Sequence, residues 1–194
     1  MKEVYGSMAL DNKKIYTTDD IMALPDDVHA ELIEGEIFYM AAPTLPHQGL
    51  QMELAFEIRQ YIKQSKKKCK VYAAPAVFIK RDKYNYFEPD LVVICPHNEN
   101  DDRLQTNGCH GAPDWVIEIV SPSSRTMDYL RKLNKYQETG VREYWIVDAK
   151  TESVLVYQFG EHPATHTYTF EDTIPVGIYE DFSINFKELD FRLE

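Results

Sequence analysis

The segment DWVIEIV, residues 114–120, sets one carboxylate in the middle of an apolar run of the length of a buried strand. An ionised side chain between Ile117 and Ile119 costs on the order of several kcal/mol unless it is paired or bound to a cation, so the fold must bring Glu118 a partner. Two other apolar runs precede it, VYAAPAVFI (71–79) and DLVVICP (90–96), each bounded by turn-rich stretches. Together the three read as neighbouring strands of a sheet covered on both faces. Asp90 opens the second run, so such a sheet can carry two carboxylates to one place.

The rest of the chain supplies elements to cover that sheet. TTDDIMALP (17–25) has a Thr cap, acids in the first turn and a proline stop, which describe one short helix. In HAELIEGEIFYMAAP, Gly35 marks a turn and residues 36–40 a strand, with Glu31 expected on a preceding helix. From Gln48 to Gln64, Leu50, Leu54, Ile58, Tyr61 and Ile62 recur at helical spacing. SPSSRTMDYLRKLNKYQETG (121–140) reads as a helix started by serines and ended by Gly140, with Asp128, Lys132 and Tyr136 on one face. EYWIVD is a further buried strand, SVLVYQF and THTYTF a polar-edged hairpin, and VGIYEDFSINFKEL a C-terminal extension. The polar connection 97–112 is long for a loop and is expected beside the active cleft. Residues 1–15 are polar and unpatterned, and 16–194 are read as one domain.

Charge is segregated rather than merely acidic. The net charge is -11, yet Arg59 to Lys83 holds nine of the 21 basic residues against the single acid Asp82. Lys66, Lys67 and Lys68, with Lys80, Arg81 and Lys83, form a candidate phosphate-tracking surface, although the first three also suit a solvated helix end. Tyr84 and Tyr86 are candidates to stack on bases or to sit at a hairpin edge. No apolar run of about 18 residues is present to span a bilayer, and no secretory leader is visible, so a cytoplasmic protein is expected. Cys69, Cys95 and Cys109 lack metal-ligand spacing and are expected to be inert thiols.

The carboxylates suggest phosphodiester chemistry. Mg2+, or Mn2+ in its place, binds through one or two carboxylates and keeps several waters, so Asp90, Glu118 and the Ile119 carbonyl suffice as ligands. A lysine is needed to orient water or to neutralise charge on the phosphoryl group. Val120 stands where a nuclease of the PD-(D/E)xK kind places that lysine, two residues after the acid. Lys132, fourteen residues after Glu118, is positioned to reach back from its helix. Glu31 is a fourth candidate, with Glu34 as its local competitor, and His47, after a proline turn, is a candidate phosphate contact.

Bland readings stand beside these. Asp90 follows Pro89, where an acid caps a turn, and Lys132 suits an i,i+4 pair with Asp128 worth about 0.3–0.5 kcal/mol. Asp114 shares strand parity with Glu118 and reads more simply as structural, as do Tyr144 and Trp145.

The segments YTTDDIMALP, ELIEGEIFYMAAPTLPHQ, EPDLVVICP, GAPDWVIEIVSPSS and DYLRKLNKYQETGVREYWIVD, in this order, resemble the Uma-two family of restriction endonucleases, a branch of the PD-(D/E)xK superfamily. The resemblance covers about residues 15–160. It implies an α/β (mixed α+β) fold of the restriction-endonuclease kind: a central mixed sheet flanked by helices, with an additional C-terminal β hairpin. It also implies Asp90 and Glu118 as metal ligands, the catalytic lysine at Lys132 and the early acid at Glu31. The expected activity is metal-dependent cleavage of DNA, with a homodimer as the expected assembly and no membrane partner. The competing expectation is a nuclease-fold binding module without turnover.

Overall fold

The computed structural model describes residues 14–25, 27–120 and 126–192, with backbone only at 126–129. The serines expected to start the second long helix, and the Asp128 side chain, lie outside the described residues.

A short helix α1 (Thr18–Met22) leads the chain. Its entry is closed by Asp20, whose carboxylate accepts the Thr17 N–H at 2.8 Å. Strands β1 (Ala30–Ile33) and β2 (Glu36–Tyr39) form a hairpin in which Ile33 pairs with Glu36. The two turn residues, Glu34 at φ 51° and Gly35 at φ 80°, both take the left-handed conformation. That is what a tight two-residue hairpin demands, and it requires a strand on each side. Glu31 therefore lies on β1, not on a helix as expected.

Helix α2 (Leu45–Gln64) follows, capped by Thr44, with Leu50, Leu54, Ile58 and Ile62 buried along one face. The apolar run 71–79 then divides. Ala74 turns left-handed at φ 45° before Pro75, which has no N–H to donate, so β3 (Lys70–Ala73) and β4 (Val77–Phe78) enter different sheets. Next come β5 (Tyr86–Phe87), β6 (Leu91–Ile94), β7 (Leu104–Gln105), β8 (Gly108–His110) and β9 (Trp115–Val120). Helix α3 (Thr126–Thr139) ends at Gly140, φ 96°, where the Val141 N–H bonds back to the Tyr136 carbonyl at 3.1 Å. The chain closes with β10 (Glu143–Asp148), β11 (Ser153–Gln158), β12 (Ala164–Thr169), β13 (Thr173–Pro175), β14 (Ser183–Asn185) and a 3₁₀ turn at Phe186–Glu188.

The central sheet has the order β12-β11-β10-β9-β6-β3, with β9 and β10 parallel and the other pairs antiparallel. Alternation along β9 decides the layers. Trp115, Ile117 and Ile119 pack with the apolar face of α2 and the C-terminal segment, whereas Val116 packs with Tyr136 of α3 and with the second sheet. Glu118 has the parity of Val116, so the strand turns it toward α3. The second sheet, β2-β1-β5-β4-β8-β7, carries Glu31 on β1. The mixed sheets, flanking helices and C-terminal strands are those of the expected fold class.

Two other expectations are corrected. Cys69 and Cys95 are not separate thiols: they sit opposite each other just beyond the Lys70–Ile94 pair and are bonded through sulfur. Cys109 remains free, and burial pushes its thiol up to about 11. The 97–112 connection is held away from Glu118. It contains the β7–β8 hairpin, and Arg103 binds the Cys95 and Ala112 carbonyls, each at 2.6 Å, and the Asp114 carboxylate at 3.3 Å. Asp114 lies four residues before Glu118, about 13 Å along an extended chain.

Candidate active site

Two helices deliver residues to one end of the β6–β9 pair. From α3, the Lys132 ammonium donates to Glu31 Oε1 at 2.8 Å and to Glu118 Oε1 at 3.0 Å. One turn later, the Tyr136 hydroxyl donates to the same Glu118 oxygen at 3.1 Å. Glu31, Glu118 and Lys132 are each 6% exposed. The Glu88 N–H also donates to Glu31 Oε1, at 2.9 Å. The structure thus gathers the strand acid, the helix lysine and the early acid, from positions 31, 118 and 132.

Asp90 reaches the same end from the start of β6. Its Oδ2 accepts the Ile119 N–H at 2.7 Å, and its Oδ1 lies 3.2 Å from His47 Nε2. His47, in the first turn of α2, also places Nε2 3.1 Å from the Ile119 carbonyl. One turn on, Gln51 donates to the Asp90 backbone carbonyl at 2.7 Å. His47 was expected as a phosphate contact, and the structure sets its ring inside the cleft, 12% exposed.

The electrostatics follow from burial and from unequal numbers of charges. Burial raises the Glu118 carboxyl to about 8, with Glu31 and Asp90 adding to the rise and Lys132 opposing it. Burial alone would discharge Lys132, but the Glu118 and Glu31 carboxylates hold its ammonium charged. Burial, and then the Glu118 charge, push the Tyr136 hydroxyl well above its ordinary range. For His47, burial favours the neutral ring, but the hydrogen bond and charge of Asp90 outweigh it and raise the imidazole. One ammonium faces three carboxyl groups here, Glu31, Asp90 and Glu118, so ionising all three would make the cleft anionic, and the Glu118 carboxyl is raised accordingly.

Hard oxygen donors and surplus negative charge suit a divalent cation. Asp90 Oδ1 and the Ile119 carbonyl converge closely enough for one nitrogen to touch both. Among the described residues, no three His, Cys, Asp or Glu side chains form a group that could hold a metal ion, and Glu118 is engaged by Lys132.

The basic candidates fall in two places. Lys80, Arg81 and Lys83 are exposed on the loop entering β5, and this loop is tied to α3 by the Lys135–Asp82 ion pair at 3.2 Å. Lys66, Lys67 and Lys68 lie beyond the far end of α2, and Lys67 sits over the rings of Tyr61 and Tyr179. At 1.5 Å per residue they are about 28 Å from His47.

Sequence reasoning missed Tyr136 and Gln51 as members of the site. Each lies four residues after a candidate, Lys132 or His47, so the i,i+4 spacing was the available signal.

No curated protein matches the chain significantly. Among solved structures, a protein of Anabaena variabilis ATCC 29413 described as "a putative nuclease belonging to DUF820" superposes with a TM-score of 0.74 at 23% identity. The match covers 89% of this chain and 96% of the other, and it shows a shared fold. The model of the Uma2 family, described as "Putative restriction endonuclease", matches residues 18–187, which include every residue of the cleft. The chain belongs to the Uma2 family of restriction-endonuclease-like proteins.

Proposed function

We propose that this protein is an endonuclease that hydrolyses DNA phosphodiester bonds with Mg2+ or Mn2+ held by Asp90, Glu118 and the Ile119 carbonyl. The observation that carries this reading is the Lys132 ammonium, 3.0 Å from Glu118, supplied by α3 at the strand end where Val120 has no charge to offer. When bound, such a cation polarises a phosphoryl oxygen and lowers the pKa of the attacking water.

The chain's own residues supply the remainder. Lys132 is kept charged by Glu31 and Glu118 and is buried, so its position is fixed before substrate arrives, as electrostatic stabilisation of a phosphoryl group requires. Glu31 holds the same ammonium, and Tyr136 fixes the Glu118 carboxyl through its hydroxyl. Lys80, Arg81 and Lys83 are positioned to track the phosphate backbone on leaving the cleft. Lys66, Lys67 and Lys68 are assigned contacts about a helical turn of duplex away. Cleavage of both strands calls for a symmetric pair of chains.

The test is nicking of supercoiled plasmid and of labelled single strands with Mg2+ or Mn2+, comparing the wild type with Asp90→Asn, Glu118→Gln and Lys132→Met at matched folding. Each variant is expected to lose activity by about a hundredfold or more. Cleavage that survives all three substitutions sinks the assignment. A wild type that binds DNA but cleaves nothing moves the protein to the binding-module reading.

A further inference from the structure

We infer that the open groove beside the loop of residues 80–84 is a subsite for one unpaired DNA nucleotide, with its base stacked on Tyr84 and its phosphates held by Arg81 and Lys83. The inference rests on the nuclease reading proposed above and adds to it a class of substrate: DNA with an unpaired base a few nucleotides from the cleft.

The groove has a volume of about 780 Å³ and is lined by Thr18 of α1, by Phe78 at the end of β4 and by the loop residues from Arg81 to Tyr84. That volume suits a small ligand rather than a duplex. The loop is fixed to three other elements. Asp82 Oδ2 accepts from the Lys135 ammonium of α3 at 3.2 Å, the Lys83 carbonyl accepts the Thr18 N–H at 2.8 Å, and the Tyr84 carbonyl accepts the Gly35 N–H of the hairpin turn at 2.9 Å. Arg81 is held at φ 62°, a left-handed conformation that costs a non-glycine residue energy and recurs where a side chain must be aimed. Among the described residues, none of Lys80, Arg81 and Lys83 has an ion-pair partner. The Lys83 ammonium lies 5.1 Å from the centroid of the Tyr84 ring, which is 41% exposed. Lys132 and Lys135 leave α3 one turn apart, about 5 Å along its axis, so the loop stands a few nucleotides from Glu118.

Stacking requires the nucleotide to be unpaired. Within a duplex both faces of a base are covered by its neighbours, whereas an unpaired base offers a free face to an aromatic ring, whatever its identity. Tyr84 is the aromatic residue of the groove that is placed for this. Phe78 is already stacked on His110 at 4.6 Å, and the neighbouring Tyr86 is buried and donates its hydroxyl to Glu88 at 2.7 Å. A phosphate that draws the Lys83 ammonium aside uncovers the ring face beneath it. The alternative is that Tyr84 merely closes the loop. Its backbone does that, since the Tyr84 N–H donates to Asp82 Oδ1 at 2.9 Å and Asn85 Nδ2 donates to Asp82 Oδ2 at 2.9 Å, which leaves the ring to a ligand. A surface that only tracked a duplex backbone would need the cations and no ring.

The experiment measures binding by the full chain, in EDTA so that nothing is cleaved, of a single-stranded DNA oligonucleotide carrying 2-aminopurine and of the blunt duplex of the same sequence, at several salt concentrations. The wild type is expected to bind the single strand more tightly than the duplex and to quench the 2-aminopurine by stacking. Tyr84→Ala is expected to lose the quenching and to bind the single strand about five- to a hundredfold more weakly, with duplex binding unchanged. Lys83→Gln is expected to keep the quenching and to flatten the salt dependence by about 0.7 units of log–log slope. Recovery of both readouts in Tyr84→Trp separates lost stacking from lost fold. Equal binding of the two DNAs by the wild type, or a Tyr84→Ala chain that binds and quenches as the wild type does, overturns the subsite and leaves the nuclease reading to the plasmid assay. Quenching that depends on Tyr84 in a chain that nicks no plasmid keeps the subsite and removes the nuclease reading.

Discussion

Asp114, just before β9, and Glu118, toward its end, stand four residues apart, share the same parity and are both buried, yet they are compensated differently. Asp114 accepts the Cys95 N–H at 2.8 Å, faces the guanidinium groups of Arg103 and Arg142 at 3.3 and 3.4 Å, and lies 3.1 Å from His97 Nε2. Two permanent cations serve two carboxylates there, because Arg103 also pairs with Asp101 at 2.8 Å. At the other end a single ammonium serves Glu118 and Glu31, with Asp90 close by. At one end cations and carboxylates match in number and the acid ties loops to a sheet, while at the other the carboxyl groups outnumber the ammonium and the proposed cation would supply the difference.

The largest expected effect would break or uphold this contrast directly. Asp114→Ala leaves the Cys95 N–H without its acceptor and takes one carboxylate from Arg103, which keeps Asp101, and should cost about 3–5 kcal/mol, read as a fall in urea midpoint. Glu118→Gln replaces a carboxyl that the fold holds protonated up to about pH 8 and should cost less than half as much, while abolishing cleavage. Equal losses of stability from the two substitutions would erase the distinction.

A smaller effect concerns pH. The Glu118 carboxyl is raised from 4.5 to about 8 in the fold. Across that window the folded chain holds a proton that the unfolded chain releases, so this group makes stability fall as pH rises. Lys132, raised above its ordinary value, stays charged in both states throughout the window and adds no slope. Urea midpoints at pH 5 and pH 8 should therefore show Glu118→Gln gaining on the wild type as pH rises. Parallel profiles would mean that Lys132 compensates Glu118 as fully as the arginines compensate Asp114.

The smallest effect separates the two basic surfaces. Charge reversal at Lys80, Arg81 and Lys83 should weaken DNA binding and flatten its dependence on salt by up to about three units of log–log slope. Reversal at Lys66, Lys67 and Lys68 should leave binding of a duplex shorter than about ten base pairs unchanged, because they lie about 28 Å away along α2. Equal effects on the short duplex would place both groups at the cleft.

Much of the cleft is visible in local sequence, because burial and periodicity are local properties. Glu118 within an apolar run announces a buried carboxylate in need of a partner, and the four-residue step from Lys132 to Tyr136 puts both on one face of α3. The hydrophobic spacing in α2 likewise gives its buried face, and the family segments give the order of the elements. Local spacing says nothing of which end of a strand a distant residue will meet. Glu31 reads as helical until the left-handed pair Glu34 and Gly35 makes a hairpin, and the run 71–79 reads as one strand until Ala74 and Pro75 divide it between two sheets. The 97–112 connection is polar enough for a catalytic loop, but Arg103 finds Asp114 and fastens it elsewhere. The sequence by itself determined the candidate chemical groups and the faces that carry them. The packing of the chain decided that Asp90 and the Ile119 carbonyl would converge on His47, because that meeting depends on strand order and helix placement, which arise from contacts between residues far apart in the chain.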